Sequence, residues 1–174
     1  MGQPKNAKRS GKSGHRSHDH AHSHRHGHAH AHSHGVPYTL RPTREEDLPY
    51  LSLMARGQEV GIPPNYLDVG VCAVNKDDIP VGYIHVELTD LGPHVAPVVV
   101  FENWRMHGVG SALVKHARET FGPLKLVSNG SSNGFYEKLG FTEIPWEEIE
   151  PAFQRDCLAC EFYEKCGPKP YLLA

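Results

Sequence analysis

The stretch from Asn103 to Pro123, "NWRMHGVGSALVKHARETFGP", decides how the rest of the chain is read. It follows an apolar run, "HVAPVVVF", and carries two glycines one residue apart, Gly108 and Gly110. Val109, Leu113, Ala117 and Phe121 then share one helical face, and Gly122 with Pro123 closes the pattern as C-cap and breaker. The reading is strand, glycine turn, helix. The first amides of such a helix have no intrahelical partner and lie at the positive end of its dipole. Glycine there removes the Cβ that would hold an anion off the backbone. The motif alone fits a phosphate cradle or a plain tight turn. It lacks both the Lys-Ser/Thr of a P-loop and the third glycine of a dinucleotide fold.

Working outward, "VPYTLRPT" reads as a first strand, and Thr43 with Glu46 has capping-box spacing before "REEDLPYLSLMARGQE". Pro49 bends that helix or divides it into two short pieces. "VCAV" and "VGYIHVEL", joined by "NKDDIP", form a hairpin signature. Beyond the central helix come a strand in "LKLVSN", a short helix in "SSNGFYEKLG", a strand in "FTEI", a helical turn in "WEEIEPAF" and a last edge strand in "PYLL". This order predicts an α/β domain, a mixed sheet with helices on its faces.

"WRMHGVGSAL" fits Arg/Gln-x-x-Gly-x-Gly/Ala, and about twenty residues on, "VSNGSSNGFYEKLGF" supplies a strand, an Asn, a short helix and a closing Tyr-Glu-Lys-Leu-Gly-Phe. With both motifs in this order, the chain from Tyr38 to about Ile144 resembles the GNAT superfamily, the Gcn5-related N-acetyltransferases. The resemblance implies a single, mostly antiparallel GNAT-type sheet and an acetyl-CoA-dependent N-acetyltransferase. It also implies that backbone amides of Arg105, Met106, His107, Gly108, Val109, Gly110 and Ser111 bind the pyrophosphate of acetyl-CoA. Val98, Val99 and Val100, up to Phe101, would hold the pantetheine arm. Asn129 matches the cofactor-contacting Asn, and Tyr136 the tyrosine that protonates the departing thiolate. His107 departs from the family's usual basic residue and is charged only part of the time near neutral pH.

Acetyl transfer to an amine needs a neutral amine, a stabilised oxyanion and a proton for sulfur. A phenol suits the last task, because phenol and thiol have ordinary pKa values within about two units. For the base, Glu102 stands just beyond the cofactor strand, while His85 and Glu87 share one face of the neighbouring strand. A water chain is the alternative. The acceptor is an amine of open identity, small molecule or peptide.

Ten of the fourteen histidines lie between His15 and His34, and residues 1–35 contain no Val, Ile, Leu, Phe, Tyr or Trp. Six basic residues and one acidic residue give this segment +5; the other twelve basic and nineteen acidic residues give 36–174 a charge of −7. The composition predicts a disordered His-rich tail, either a loose binder of divalent metal ions or a plain soluble linker, joined to an acidic body that the resemblance makes the acetyltransferase domain. A protein that binds or responds to metal on a GNAT scaffold is the competing reading. The negative body mildly favours a cationic acceptor and argues against nucleic acid. The basic start is followed by His and Ser rather than an apolar stretch, and no run is long enough to span a bilayer. A cytoplasmic protein without a membrane role is expected, with a homodimer as the family's frequent assembly. Cys157, Cys160 and Cys166, in segment 157–166, have spacing suited to zinc, with Cys72, a tail histidine or water as fourth ligand. A redox group or a small cap over the acceptor site are the alternatives.

Overall fold

A computed structural model describes residues 37–58 and 60–174. The His-rich tail, and with it the expectation that it binds metal ions, lies outside the described residues. Strands β1 (Thr39–Pro42), β2 (Gly70–Val74), β3 (Pro80–Thr89), β4 (Gly92–Val100), β5 (Leu124–Ser128), β6 (Thr142–Glu143) and β7 (Lys169–Leu173) form one sheet. Their order is β1-β2-β3-β4-β5-β7-β6, and every neighbouring pair is antiparallel except β4 with β5. The mixed, mostly antiparallel sheet expected from the motifs is therefore present.

Helices cover both faces. Helix α2 (Val109–Phe121) places Val109, Leu113, Val114 and Ala117 against Ile84, Val86, Val95, Leu124 and Leu126. On the opposite face, Leu51 and Met54 of α1 (Leu48–Arg56) meet Cys72, Val74, Tyr83 and Val99. Burying one such aliphatic side chain contributes about 1.5–3 kcal/mol, so each face anchors its helix firmly.

The entry to α1 resolves the Pro49 question. A 3-10 turn, Glu45–Asp47, precedes the helix, and Pro49 sits in the first turn of α1, where its missing N–H costs no helical bond. The Thr43/Glu46 capping box does not form. Asp47 instead accepts from the Arg44 N–H at 2.8 Å and grips the Arg41 guanidinium at 2.7 and 2.9 Å. Thr43 is buried with its hydroxyl 3.6 Å from the Cys72 sulfur. Arg41 and Arg44 both also bind Asp78 in the β2–β3 turn at 2.7 Å, which ties the start of the domain to its first hairpin.

Two other expectations change. "PYLL" is an interior strand: β7 pairs with β5 from Leu124↔Leu173 to Ser128↔Lys169, and two-residue β6 closes the sheet beyond it. An apolar pattern reports burial but not which strand lies alongside, and a long insertion separates β6 from β7. Within that insertion, "WEEIEPAF" is a 3-10 turn, Trp146–Glu148, followed by α4 (Pro151–Leu158), with α5 (Tyr163–Cys166) beyond.

Burial works against ionisation of Asp47, but the Arg41 and Arg44 bonds prevail and hold its carboxyl below the ordinary value. Asp47→Asn leaves Arg41 half-paired at a site where Asp47 is only 2% exposed. The variant should lose about 3 kcal/mol in urea unfolding. A loss below about 0.5 kcal/mol would show that the pair contributes little.

Candidate active site

Parallel strands β4 and β5 pair at one register position, His94↔Lys125, and are unpaired beyond it. The cause lies in β4. Phe101 N–H donates to Val81 C=O, so alternation along the strand turns the backbone of Val99 and Pro97 toward β3 as well. Proline has no N–H to give. The ladder breaks there, passing from Ile84↔Val98 to Val86↔Val95, so that Ala96 and Pro97 together oppose His85. The same alternation aims the backbone groups of Val98 and Val100 into the gap facing β5. One of them, the Val100 carbonyl, accepts from Gln58 Nε2 at 3.4 Å.

The gap leads to the glycine turn. Gly108 is the N-cap of α2 at φ 79°, a left-handed conformation that glycine adopts without a Cβ penalty. Among the described residues, no chain group accepts from the amides of Met106 to Ser111, and the first bond into the helix is Ala112 N–H to Gly108 C=O. Arg105, Met106 and His107 are exposed, with Met106 also left-handed at φ 63° and the His107 ring edge-on to Trp104. The turn thus carries a run of unpartnered N–H donors and two exposed basic side chains, which suits an anion.

Helix α3 (Asn133–Lys138) brings the second motif to the first. A Cβ at Gly110 would stand 3.1 Å from Phe135, so the missing side chain lets α3 pack on the first turn of α2. Tyr136, the next residue, is 8% exposed and edge-on to Phe135 and Phe141. Burial raises its phenol above the ordinary value, so it stays protonated at neutral pH. Asn129 is exposed at the end of β5, with Oδ1 accepting from Ser132 N–H and the Ser131 hydroxyl. Its amide nitrogen remains available as a donor.

On the α1 side of the bulge, Tyr83, His85 and Glu87 follow one another along one face of β3, and Glu87 lies directly opposite His94. Glu87 and Ala96 line a solvent-open cavity of 520 Å³, bordered also by Pro63 and by Glu150 and Phe153 at the start of α4. Asn65 Nδ2 donates to Glu87 at 3.2 Å. His94 pins the far wall: its Nδ1–H donates to Gly92 C=O at 2.9 Å, its Nε2 accepts from Glu150 N–H at 3.2 Å, and its ring packs on Phe153. Burial lowers the pKa of both histidines, against the upward pull of Glu87 on His85 and of Gly92 on His94. Glu102 is exposed in a 3-10 turn past the end of β4, about 15 Å along the strand from the bulge, so it is not brought to this centre.

The three cysteines are not assembled as a metal site. Cys157 lies on α4, Cys160 in the loop and Cys166 at the end of α5; burial, then the neighbouring Cys166, raises the Cys157 thiol. Among the described residues, no group of three or more His, Cys, Asp or Glu is placed to hold a metal ion, so the zinc expectation finds no support. The α5 end packs instead on the Asn129 turn, where the Cys166 carbonyl leaves no room for a Cβ at Gly130.

Pro63, Asn65, His94, Glu150 and Phe153 went unnoticed in the sequence as site residues. The one local signal was Glu150-Pro151, a proline at a helix start. No helix among the described residues is long and apolar enough to cross a membrane.

Residues 68–143 match the family model for the acetyltransferase (GNAT) domain. No curated protein matches the sequence. The fold is similar to that of N-acetylglutamate synthase from Neisseria gonorrhoeae complexed with coenzyme A and N-acetyl-glutamate, at TM-score 0.63 and 14% identity. That similarity covers 78% of this chain and 34% of the synthase, so the chain spans about a third of its length. Rv2747 from Mycobacterium tuberculosis, in complex with CoA and NLQ, aligns at TM-score 0.61 and 17% identity over 78% of this chain and 98% of its own. Arabidopsis thaliana Naa50, with the bisubstrate analogue CoA-Ac-MVNAL, aligns at 0.54 and 18% over 79% and 98%. At these identities the likeness shows the fold, and the resemblance read from the motifs holds.

His85 and His94 have folded pKa values below the ordinary value of 6.5, so the unfolded chain binds their protons first. Stability is therefore lost as pH falls through about 6.5, until the folded imidazoles also protonate. The melting temperature should drop between pH 7.5 and 5.5. His94→Gln, whose amide oxygen can accept from Glu150 without titrating, should drop less, by roughly 3 °C. Equal drops would contradict the role of His94.

Proposed function

We propose that this chain transfers an acetyl group from acetyl-CoA to an amine. The observation that carries the reading is the gap between β4 and β5, which ends at the unpartnered amides of α2 and lies beside the bulge and Glu87. The match to the acetyltransferase domain supports it, as do the CoA complexes of two proteins with this fold, the Neisseria gonorrhoeae synthase and Rv2747. Bound acetyl-CoA supplies a thioester, an activated acyl group.

The residues present fit that molecule. Val98 and Val100 offer strand-type hydrogen bonds to an extended amide-bearing arm, as a further strand would. Val99, whose backbone faces β3, packs against the α1 face instead. The amides of Met106 to Ser111 face an anion at the helix dipole, with Arg105 adding charge and His107 adding it when protonated. Asn129 donates from its free amide. Tyr136 holds its proton until a thiolate needs it, and Glu87, open to the cavity, takes the proton that the attacking ammonium must lose. We assign the base to Glu87 over Glu102, because only Glu87 stands beside the bulge.

Tyr136→Phe removes the donor and keeps the ring. With acetyl-CoA and an accepted amine, kcat should fall about 100-fold while the dissociation constant for acetyl-CoA, measured by calorimetry, changes less than about threefold. An unchanged kcat would remove Tyr136 from the mechanism.

A further inference from the structure

Among the residues that line the 520 Å³ cavity, every ionisable one is acidic. Glu87, Asp90 and Glu150 bring three carboxylates, and no Lys or Arg stands among the lining residues. Asn65, the nearest amide donor, is already committed to Glu87. Behind Glu87 lies His85, fully buried, with neither ring nitrogen in a hydrogen bond. Its Nδ1 is 3.9 Å from Glu87 Oε2, and the backbone of Asn65 and of Ala96, the latter a cavity wall, comes close enough to pull the imidazole pKa upward against burial while falling short of hydrogen-bond geometry. A neutral imidazole has one acceptor nitrogen, and leaving it orphaned in the interior is costly unless a proton donor arrives. The groups around it agree in sign. Asp68 acts on His85 from the loop before β2, and Glu150 acts on His94 from the start of α4. Lys125, the cation that acts on His94, is held by the Glu148 carbonyl at 2.8 Å and by its carboxylate at 3.8 Å.

Resting on the acetyl-transfer reading, we propose that this cavity takes a small amine with a second positive charge, and that His85, acting through Glu87, shares the proton the reacting ammonium gives up. Glu87 receives the reacting nitrogen beside the bulge, while Glu150 and Asp90 hold the second cation nearer the mouth. The dimensions suit this division, since 520 Å³ accommodates a chain of several carbons between two ammonium groups, against the apolar walls of Pro63 and Phe153. The proton on the reacting nitrogen passes to the Glu87 carboxylate, stabilised by His85 behind it. The nitrogen then bonds to the acetyl carbon as the carbon–sulfur bond breaks. Tyr136 protonates the sulfur and regains a proton from the nitrogen as it becomes an amide. One proton leaves to solvent overall. His85 is a positioning residue here: it touches Glu87's proton, not the amine. An anionic acceptor such as glutamate meets three like charges in the same space.

The test is release of free CoA thiol by the full chain with acetyl-CoA and 1,5-diaminopentane, pentylamine or L-glutamate at pH 8. The diamine should exceed pentylamine at least tenfold in kcat/KM, and glutamate should stay at background. Glu150→Gln, at the cavity rim, should shrink the diamine-to-pentylamine ratio about threefold or more. In His85→Gln the acid limb of the kcat–pH profile with the diamine should move or vanish; an unchanged limb overturns the role of His85. Pentylamine or glutamate turned over as fast as the diamine overturns the acceptor class and leaves acetyl transfer standing. Release with no amine at all, although calorimetry shows acetyl-CoA bound, sinks the acetyl-transfer reading itself.

Discussion

Proline 97 cannot donate a hydrogen bond, and the site follows from that deficit. Its position on the β3-facing edge of β4 breaks the ladder at His85, and two residues then occupy the space of one. The strand bends, so that its pairing with β5 ends after His94↔Lys125. Backbone groups of Val98 and Val100 are left without a neighbouring strand. Half-buried peptide groups without a strand partner favour a ligand that carries amides of its own, which is the role proposed for this gap.

The rest of the fold holds that gap open. Helix α2 is clamped to the sheet by Val109, Leu113, Val114 and Ala117, which fixes its N-terminus at the end of the gap. Phe135 packs where Gly110 has no side chain, so α3 and Tyr136 are positioned by the same helix. On the far side, neutral His94 bonds both to its own turn and to the first turn of α4, making the cavity wall depend on an imidazole that burial holds below the ordinary histidine range. The Arg41–Asp47–Asp78 network stands apart from the chemistry and secures the first hairpin and α1 against the sheet.

The parts legible in the sequence are those set by local backbone chemistry. Gly108 and Gly110 announce the turn, the 109-113-117-121 spacing announces α2, and alternation puts His85 and Glu87 on one face. What stayed hidden depends on register and on insertions. His94 meets Glu87 only because β3 and β4 pair as they do, and that partnership leaves no trace in either strand alone. Glu150 and Phe153 come from an insertion whose docking is set by tertiary contacts. The Cys-x-x-Cys spacing was read as a ligand pattern, yet the folded segment spreads its thiols over a helix, a loop and a second helix. Thr43 and Glu46 had capping-box spacing, but Asp47 paired with Arg41 competes more strongly for the same helix start.

Acetyl-CoA bound as proposed engages backbone groups of the gap and the glycine turn. Amide hydrogen exchange with and without acetyl-CoA tests it most directly, read at Val98, Val100 and Gly108 to Ser111. The account predicts that these amides slow at least tenfold on binding, while those of β1 and β2 do not change. Protection spread evenly over the domain, or confined to residues outside the gap and the turn, would contradict it.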